Sequence, residues 1–122
     1  MGSLRAGILY LKTDSTMYDA KGEFEYNLGY PKRTPILGED GSVHGYKEEP
    51  QESYIQGAIT DSQDLDLAKI VQLKDVSATL ELANGKTILI PGAFYSGEGT
   101  VKTKEAEIGI KFTGTAKGKE VS

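Results

Sequence analysis

The sequence predicts a mainly β fold: an antiparallel β-sandwich or barrel of six to eight strands with one short flanking α-helix. Three observations predict it. Apolar residues alternate with polar ones at period two in most segments. Glycine supplies 15 of 122 residues, against a usual share of ~7%, and follows no Gly-X-Y period, which points to turns and bulges. Only one segment, 61–75, carries helical spacing.

AGILYLK (6–12) alternates weakly and reads as a strand, followed by turn chemistry in TDST (13–16). In MYDAKGEFEYNLGY (17–30), Phe24, Tyr26 and Leu28 lie on one face and Glu23, Glu25 and Asn27 on the other. These two segments are expected to form a hairpin. Residues 29–53 break the pattern. Pro31, Pro35 and Pro50 remove backbone donors, and Gly38, Gly41 and Gly45 invite left-handed turns. Asp40-Gly41 is a good hairpin tip, so 31–53 is either a long loop or a hairpin arm.

SYIQGAIT (53–60) reads as a strand with Ile55 and Ile59 on one side. DSQDLDLAKIVQLKD (61–75) places Leu67, Ala68, Ile70 and Val71 on an apolar stripe, with Asp61, Ser62 and Asp64 as N-cap or first-turn residues. A helix of at most three turns is expected there. VSATLELANGKTILIPG (76–92) sets two β-branched runs around Asn84-Gly85. A two-residue type I′ turn there would pair Leu82 with Thr87 and Leu80 with Leu89, and Pro91-Gly92 would end the second strand. Residues 93–116 hold one or two more strands, with Ile108, Ile110 and Phe112 alternating with Glu107, Gly109 and Lys111. The polar tail from Lys117 is expected to fray.

The length fits a single domain, 1–122. A chain of this size buries roughly 65% of the surface it exposes when unfolded, enough for one modest core. With no cysteine there is neither disulfide nor thiolate chemistry. No apolar run approaches the ~18 residues of a membrane span, and the N-terminal stretch reads as a strand rather than a signal peptide. The net charge of −4 lies entirely in residues 1–61, which carry 6 basic and 10 acidic residues; residues 62–122 carry 8 of each. An acidic chain without a basic stripe is poorly suited to gripping nucleic acid.

Candidate chemistry is thin. Gly85-Lys86-Thr87 resembles the end of a phosphate loop, but the required first glycine is Leu80 and no helix follows. Ser96 lacks the glycine of a nucleophile elbow at Phe94, and its only possible histidine base, His44, sits in a Gly-rich loop. Asp61, Asp64 and Asp66 lack the glycine and closing glutamate of a calcium loop. Glu23 with Glu25, or Glu48 with Glu49, read as water-facing strand positions rather than a glycosidase carboxylate pair. A lone histidine makes no metal constellation. The residues therefore argue against an enzyme and call for no metal or cofactor. By themselves they define a β-rich binding or assembly domain with a long appendage.

The blocks MYDAKGEFEYNLGYPKR, HGYKEEPQESYIQGAITD, DLDLAKIVQL and VSATLELANGKTILIPGAFYSGEG resemble the tail tube proteins of Mu-type contractile-tailed bacteriophages. The resemblance runs from about Ala6 to Phe112, and the combination of GYKEEPQ, DLDL and LELANGK is what makes it specific. It implies a small β-sandwich with one flanking helix, assembled as hexameric rings. The rings stack into the inner tube of a virion tail, built in the host cytoplasm, which conducts DNA into the host. The implied partners are other copies of the chain, the tail sheath, the tip or baseplate and the tail terminator. The tape measure protein and DNA would pass through the lumen without specific binding.

The long segment then has a purpose. Ordering such a loop alone is costly, so 31–53 is expected to cross to a neighbouring subunit. Tyr46 and Tyr54 would be its aromatic anchors, with Lys47 at the contact and Glu48, Glu49 and Glu52 facing Lys102 or Lys104 across it. Glu23 and Glu25 are candidates for the lumen wall. The alternatives are the tube of a bacteriocin or secretion-type injection system and a monomeric β-sandwich that binds a ligand. The last needs a concave aromatic site, and the chain has no tryptophan and 8% aromatics.

Overall fold

The computed structural model describes residues 8–14, 16–63 and 65–121, with side chains at all of these except 8–10, 19, 21 and 22. The chain runs β1 (Ile8–Thr13), β2 (Thr16–Asn27), β3 (Lys32–Leu37), β4 (Val43–Glu49), β5 (Ser53–Thr60), α1 (Leu67–Ile70), β6 (Val76–Leu82), β7 (Thr87–Tyr95), β8 (Val101–Lys102), β9 (Glu107–Gly114) and β10 (Lys119–Val121). Ala6 and Gly7 of the first expected strand, and Asp64 of the expected helix cap, lie outside the described residues.

Every strand pairing is antiparallel. The eight-stranded sheet runs β10-β7-β6-β1-β2-β5-β9-β8, and an added β7–β9 pairing joins two of its members. Six strands, β7-β6-β1-β2-β5-β9, thus close into a barrel, with β10 and β8 as short flaps. Closure removes the long open edges that would otherwise invite pairing with other chains. The two flaps that still present edges are only 3 and 2 residues long.

Pro91-Gly92 makes closure possible. The sequence predicts that this pair ends its strand; in the structure β7 continues through it to Tyr95. The register against β6 shifts there, from Ala78↔Ile90 to Val76↔Ala93. Gly92 has φ +57, and a Cβ on it would collide with the Thr115 hydroxyl. The proline costs no ladder bond at a bulge, and the glycine accepts the left-handed bend. Beyond the bend, Phe94 and Tyr95 pair with Thr113 and Phe112 of β9.

The core follows the alternation in the sequence. Leu11, Ile55, Ile59, Ala78, Leu80, Ile88, Ile90, Ile108, Ile110 and Phe112 are buried together. Phe24 joins them by lying across Gly57, where a Cβ would stand 2.5 Å from the ring. Phe112 meets Tyr95 edge to face at 5.5 Å between centroids, a favoured aromatic geometry.

Three local expectations are corrected. The β6–β7 connection is not a two-residue type I′ turn. Leu80 pairs with Ile88 and Glu81 with Thr87, one residue away from the expected register. The Leu82 amide donates to Lys86 O at 2.9 Å, and the Gly85 amide to Leu82 O at 3.1 Å. Gly85 has φ +95, whereas Asn84 is not left-handed, so a type I turn followed by a glycine bulge forms. Asn84 steadies it by accepting the Lys86 amide at 3.0 Å. This register puts Leu80 and Ile88 inside together.

The helix is a single turn, Leu67–Ile70, capped by Asp66, which accepts the Lys69 amide at 3.2 Å. It starts after Asp66, whose backbone is extended, and beyond Val71 the bonds tighten, from Gln72 N to Lys69 O and from Leu73 N to Ile70 O. The Asp61 amide is bound to Ala106 O of the β8–β9 turn at 2.8 Å, and Leu73 O receives the Tyr95 amide at 2.9 Å, so both flanks are tied to the barrel. Ile70 is its buried residue. The tail is likewise not frayed: β10 pairs with β7 through Lys119↔Leu89 to Val121↔Thr87. Among the described residues, with β10 and the β3–β4 pair, the strands number ten.

The barrel has two distinct ends. The start of β2, the end of β5 and α1 gather at one. The end of β2, the start of β5 and the end of β9 gather at the other, where the β3–β4 excursion leaves the barrel. Among the described residues no helix is long and apolar enough to cross a membrane.

Candidate assembly surface

Between β2 and β5 the chain leaves the barrel as a separate hairpin, β3 against β4, with register Lys32↔Glu49, Arg33↔Glu48, Thr34↔Lys47 and Pro35↔Tyr46, then a shift to Leu37↔Val43. Its tip repeats the β6–β7 turn. The Gly38 amide donates to Ser42 O at 2.9 Å, the Gly41 amide to Gly38 O at 3.0 Å, and Gly41 has φ +82. Asp40 plays the part of Asn84, accepting the Ser42 amide at 3.0 Å and the Ser42 hydroxyl at 2.7 Å. Those two bonds hold its carboxyl below the usual carboxylate value.

The hairpin rests on nothing. Every residue of β4 is exposed, and in β3 only Thr34 is half-buried. Leu37, Val43, Tyr46 and Ile36 are 64, 65, 56 and 49% exposed. What holds the hairpin is internal: Arg33 Nε to Glu48 Oε2 at 3.0 Å, and the Arg33 guanidinium 4.9 Å above the Tyr46 ring. Exposed pairs of this kind contribute about 1 kcal/mol or less, and an isolated two-stranded hairpin is marginal in water.

The root, by contrast, is fixed. The Gly118 amide donates to Leu28 O at 2.7 Å, the Ser53 hydroxyl to Ala116 O at 2.6 Å, and Gln51 Nε2 to Tyr30 O at 3.0 Å. Gly29 has φ +86, and any side chain there would strike Ser53. A soft arm therefore leaves a rigid socket.

Tyr46, Lys47, Glu48 and Glu49 all lie on exposed β4. Tyr54 does not belong to the arm. It is half-buried on β5, where its hydroxyl donates to Glu25 Oε2 at 3.0 Å and the Lys111 ammonium stands 4.8 Å from its ring. Burial, then the Glu25 carboxylate, raises the Tyr54 phenol above its ordinary value. Lys111 also pairs with Glu52 at 2.6 Å. Glu23 and Glu25 are exposed on β2 and line an open groove of about 700 Å³ together with Gln56, Ser96, Glu98 and Lys111. The arm anchor and the two wall candidates read separately from the sequence thus include two residues, Tyr54 and Glu25, that touch. Within the subunit Glu48 is paired with Arg33 and Glu52 with Lys111.

Sequence reasoning missed Lys111 and Glu98, which come together with Glu52 and Glu25 only through the β2–β5–β9 register. It also missed Ile36, Leu37 and Val43, whose signal was present: three large aliphatic residues in a segment with no core-forming period. The catalytic candidates stay apart. Ser96 Oγ is 2.7 Å from Thr113 Oγ1, whereas His44 lies at the arm tip beside Ser42 at 2.9 Å. Gly85-Lys86-Thr87 opens a strand rather than a helix.

A closed antiparallel barrel with a self-paired hairpin outside it, and no buried polar side chain lacking a partner among the described residues, defines a β-barrel module whose unsatisfied surface points outward. The sequence profile of the phage tail tube protein family matches residues 2–119, and the chain belongs to that family. No curated protein sequence matches it significantly. Among solved structures, it is similar to the sheath/tube terminator of an extracellular contractile injection system (PVC), with TM-score 0.65, 10% identity, and 93% of this chain and 92% of that one covered. It is also similar to the tube-terminating cap of the anti-feeding prophage (AFP), with TM-score 0.66, 8% identity, and 100% and 93% covered. At these identities the likeness shows a shared fold.

Proposed function

We propose that this tail structural protein is the subunit of the inner tube of a contractile phage tail: hexameric rings stack into a tube that sits inside the sheath and conducts DNA. The observation that carries this reading is the exposed arm. Its large apolar side chains gain nothing from the barrel beneath, and burying each one fully against a neighbour would contribute about 1.5–3 kcal/mol. A neighbouring copy supplies that surface, with Tyr46 as aromatic anchor and Lys47, Glu48 and Glu49 around it. Tyr54 serves at the root, steadying the strand from which the arm departs.

Glu23 and Glu25, with Glu98 in the same groove, form an acidic wall that Lys111 offsets only in part. On the lumen side such a wall repels the DNA phosphates and keeps the genome from sticking. The sheath, the tip or baseplate, the terminator and the tape measure protein are the partners of such a tube, and the tail of the virion is its place. The role is structural and calls for no catalytic group or cofactor.

The likeness to a terminator and a cap supports a second reading, a single ring that closes a tube rather than extending it. Negative-stain electron microscopy of the concentrated protein, with sedimentation velocity on the same sample, separates the two. Stacked rings or tubes support the tube subunit. Solitary rings that never stack support the closing ring, and a monomer that resists assembly even with tail tips added overturns both.

A further inference from the structure

We propose that Asn84 is a modification site of this chain: a side-chain amide set to convert to a carboxylate, and guarded by the turn that holds it. The site belongs to the subunit alone and does not depend on the tube reading. Asn27 and Asn84 are the two asparagines of the sequence, and only Asn84 is followed by glycine. Asparagine is a chemically labile residue. Its conversion begins when the backbone nitrogen of the next residue attacks the side-chain carbonyl carbon. At Asn84 that nitrogen belongs to Gly85, which has no side chain to shield it, and a Cβ built there would meet nothing within 4 Å. Both residues are exposed, so water reaches them.

Water is the only co-reactant. A bond forms between Gly85 N and Asn84 Cγ, the Cγ–Nδ2 bond breaks, and the amide leaves as ammonia with the proton from Gly85 N. Water then opens the cyclic imide. Opening at Cγ gives aspartate; opening at the backbone carbonyl gives isoaspartate, with an extra methylene in the main chain. The folded turn opposes the first step. The Gly85 amide donates to Leu82 O at 3.1 Å, and Asn84 Oδ1 accepts the Lys86 amide at 3.0 Å. The attacking nitrogen and the carbonyl it would attack are thus both engaged elsewhere, and ring closure proceeds from the locally opened turn. The turn treats the two products differently. The arm tip already carries aspartate in the equivalent place: Asp40 precedes Gly41 and accepts the Ser42 amide at 3.0 Å, as Asn84 accepts that of Lys86. Aspartate at 84 therefore fits. Isoaspartate lengthens the backbone inside the loop that the Leu82 amide and Lys86 O close at 2.9 Å, and pulls on the buried Leu80↔Ile88 pair behind it. At Asn27 the following residue is Leu28, whose branched side chain hinders the attack.

The test is peptide mapping by mass spectrometry after incubation of the whole chain at mildly alkaline pH in heavy-oxygen water, folded in one sample and unfolded in guanidinium in the other. In the unfolded chain Asn84 should convert well ahead of Asn27, to both aspartate and isoaspartate. In the folded subunit its conversion should be slower by about tenfold or more, because two hydrogen bonds must open first. Asn84→Asp, which installs the direct product, should leave the unfolding midpoint unchanged. Conversion of Asn84 no faster than that of Asn27 in the unfolded chain overturns the site. Equal rates in the folded and unfolded chain overturn the guard, and a clear fall in midpoint for Asn84→Asp overturns the fit of aspartate into the turn. None of these readouts involves assembly, so each stands or falls separately from the tube reading.

Discussion

Excising the arm separates its two possible roles, because the structure gives opposite signs for them. Removing residues 32–49 leaves Leu28–Pro31 and Pro50–Glu52 to connect Asn27 with Ser53, and Asn27 already pairs with Tyr54. The root bonds from Gly118 to Leu28 and from Ser53 to Ala116 survive. No buried core residue is lost, since none lies between Phe24 and Ile55. The connection shortens by nearly two halvings, and each halving recovers about 0.6 kcal/mol of loop-closure entropy. The isolated barrel should therefore gain about 1 kcal/mol, a rise of a few degrees in Tm for a domain of this size. Urea and thermal melts of the unassembled subunit measure this, and electron microscopy of the same variant should find no stacked rings. A loss of more than about 2 kcal/mol, well beyond the loop term, would refute the reasoning, because it would mean the arm stabilises its own barrel.

Other perturbations test particular parts of the structure. Phe112→Ala should cost about 3–5 kcal/mol in a urea melt, since the ring is fully buried against Tyr95; a cost below 1 kcal/mol would mean the barrel interior is not packed as described. The repeated turn offers a paired comparison. Gly85→Ala should destabilise the barrel by about 1–2 kcal/mol through its left-handed backbone, whereas Gly41→Ala, with the same turn in the arm, should leave the unfolding midpoint unchanged. Acid below the ordinary carboxylate range should loosen the arm tip. The Asp40 carboxyl is held below its usual 3.8 by Ser42, so its contribution to the turn is present above that value and lost as pH falls through the lower folded value. NMR signals of Gly38–Ser42 should shift while barrel signals hold.

Most of the barrel was legible because one face of each strand is buried. A period-two pattern then fixes which residues point inward, as for Ile108, Ile110 and Phe112. The misses arose where local chemistry admits two answers. Asn84-Gly85 suits both a type I′ turn and a type I turn with a glycine bulge, and the choice depends on whether Asn84 is left-handed. Leu67 to Val71 carries helical spacing, but Asp66 is extended before it and the bonds after Val71 tighten to i→i+3, so only one α turn forms. Lys119 to Val121 looks like a frayed tail because an edge flap with every residue exposed has no apolar period. The arm announced itself by lacking a pattern. The Glu25–Tyr54–Lys111–Glu52 cluster could not be read in advance, because it exists only through the registers of β2, β5 and β9.

The central claim is that the arm is ordered by a neighbour. Hydrogen exchange across residues 32–49, measured first in the dilute subunit and then in the assembled state, tests it most directly. The account predicts fast exchange in the subunit, where the hairpin opens on its own. Strong protection should appear on assembly, with barrel amides such as those of β5 and β9 protected in both. Arm amides as protected as the barrel in the dilute subunit, or unchanged on assembly, would contradict it.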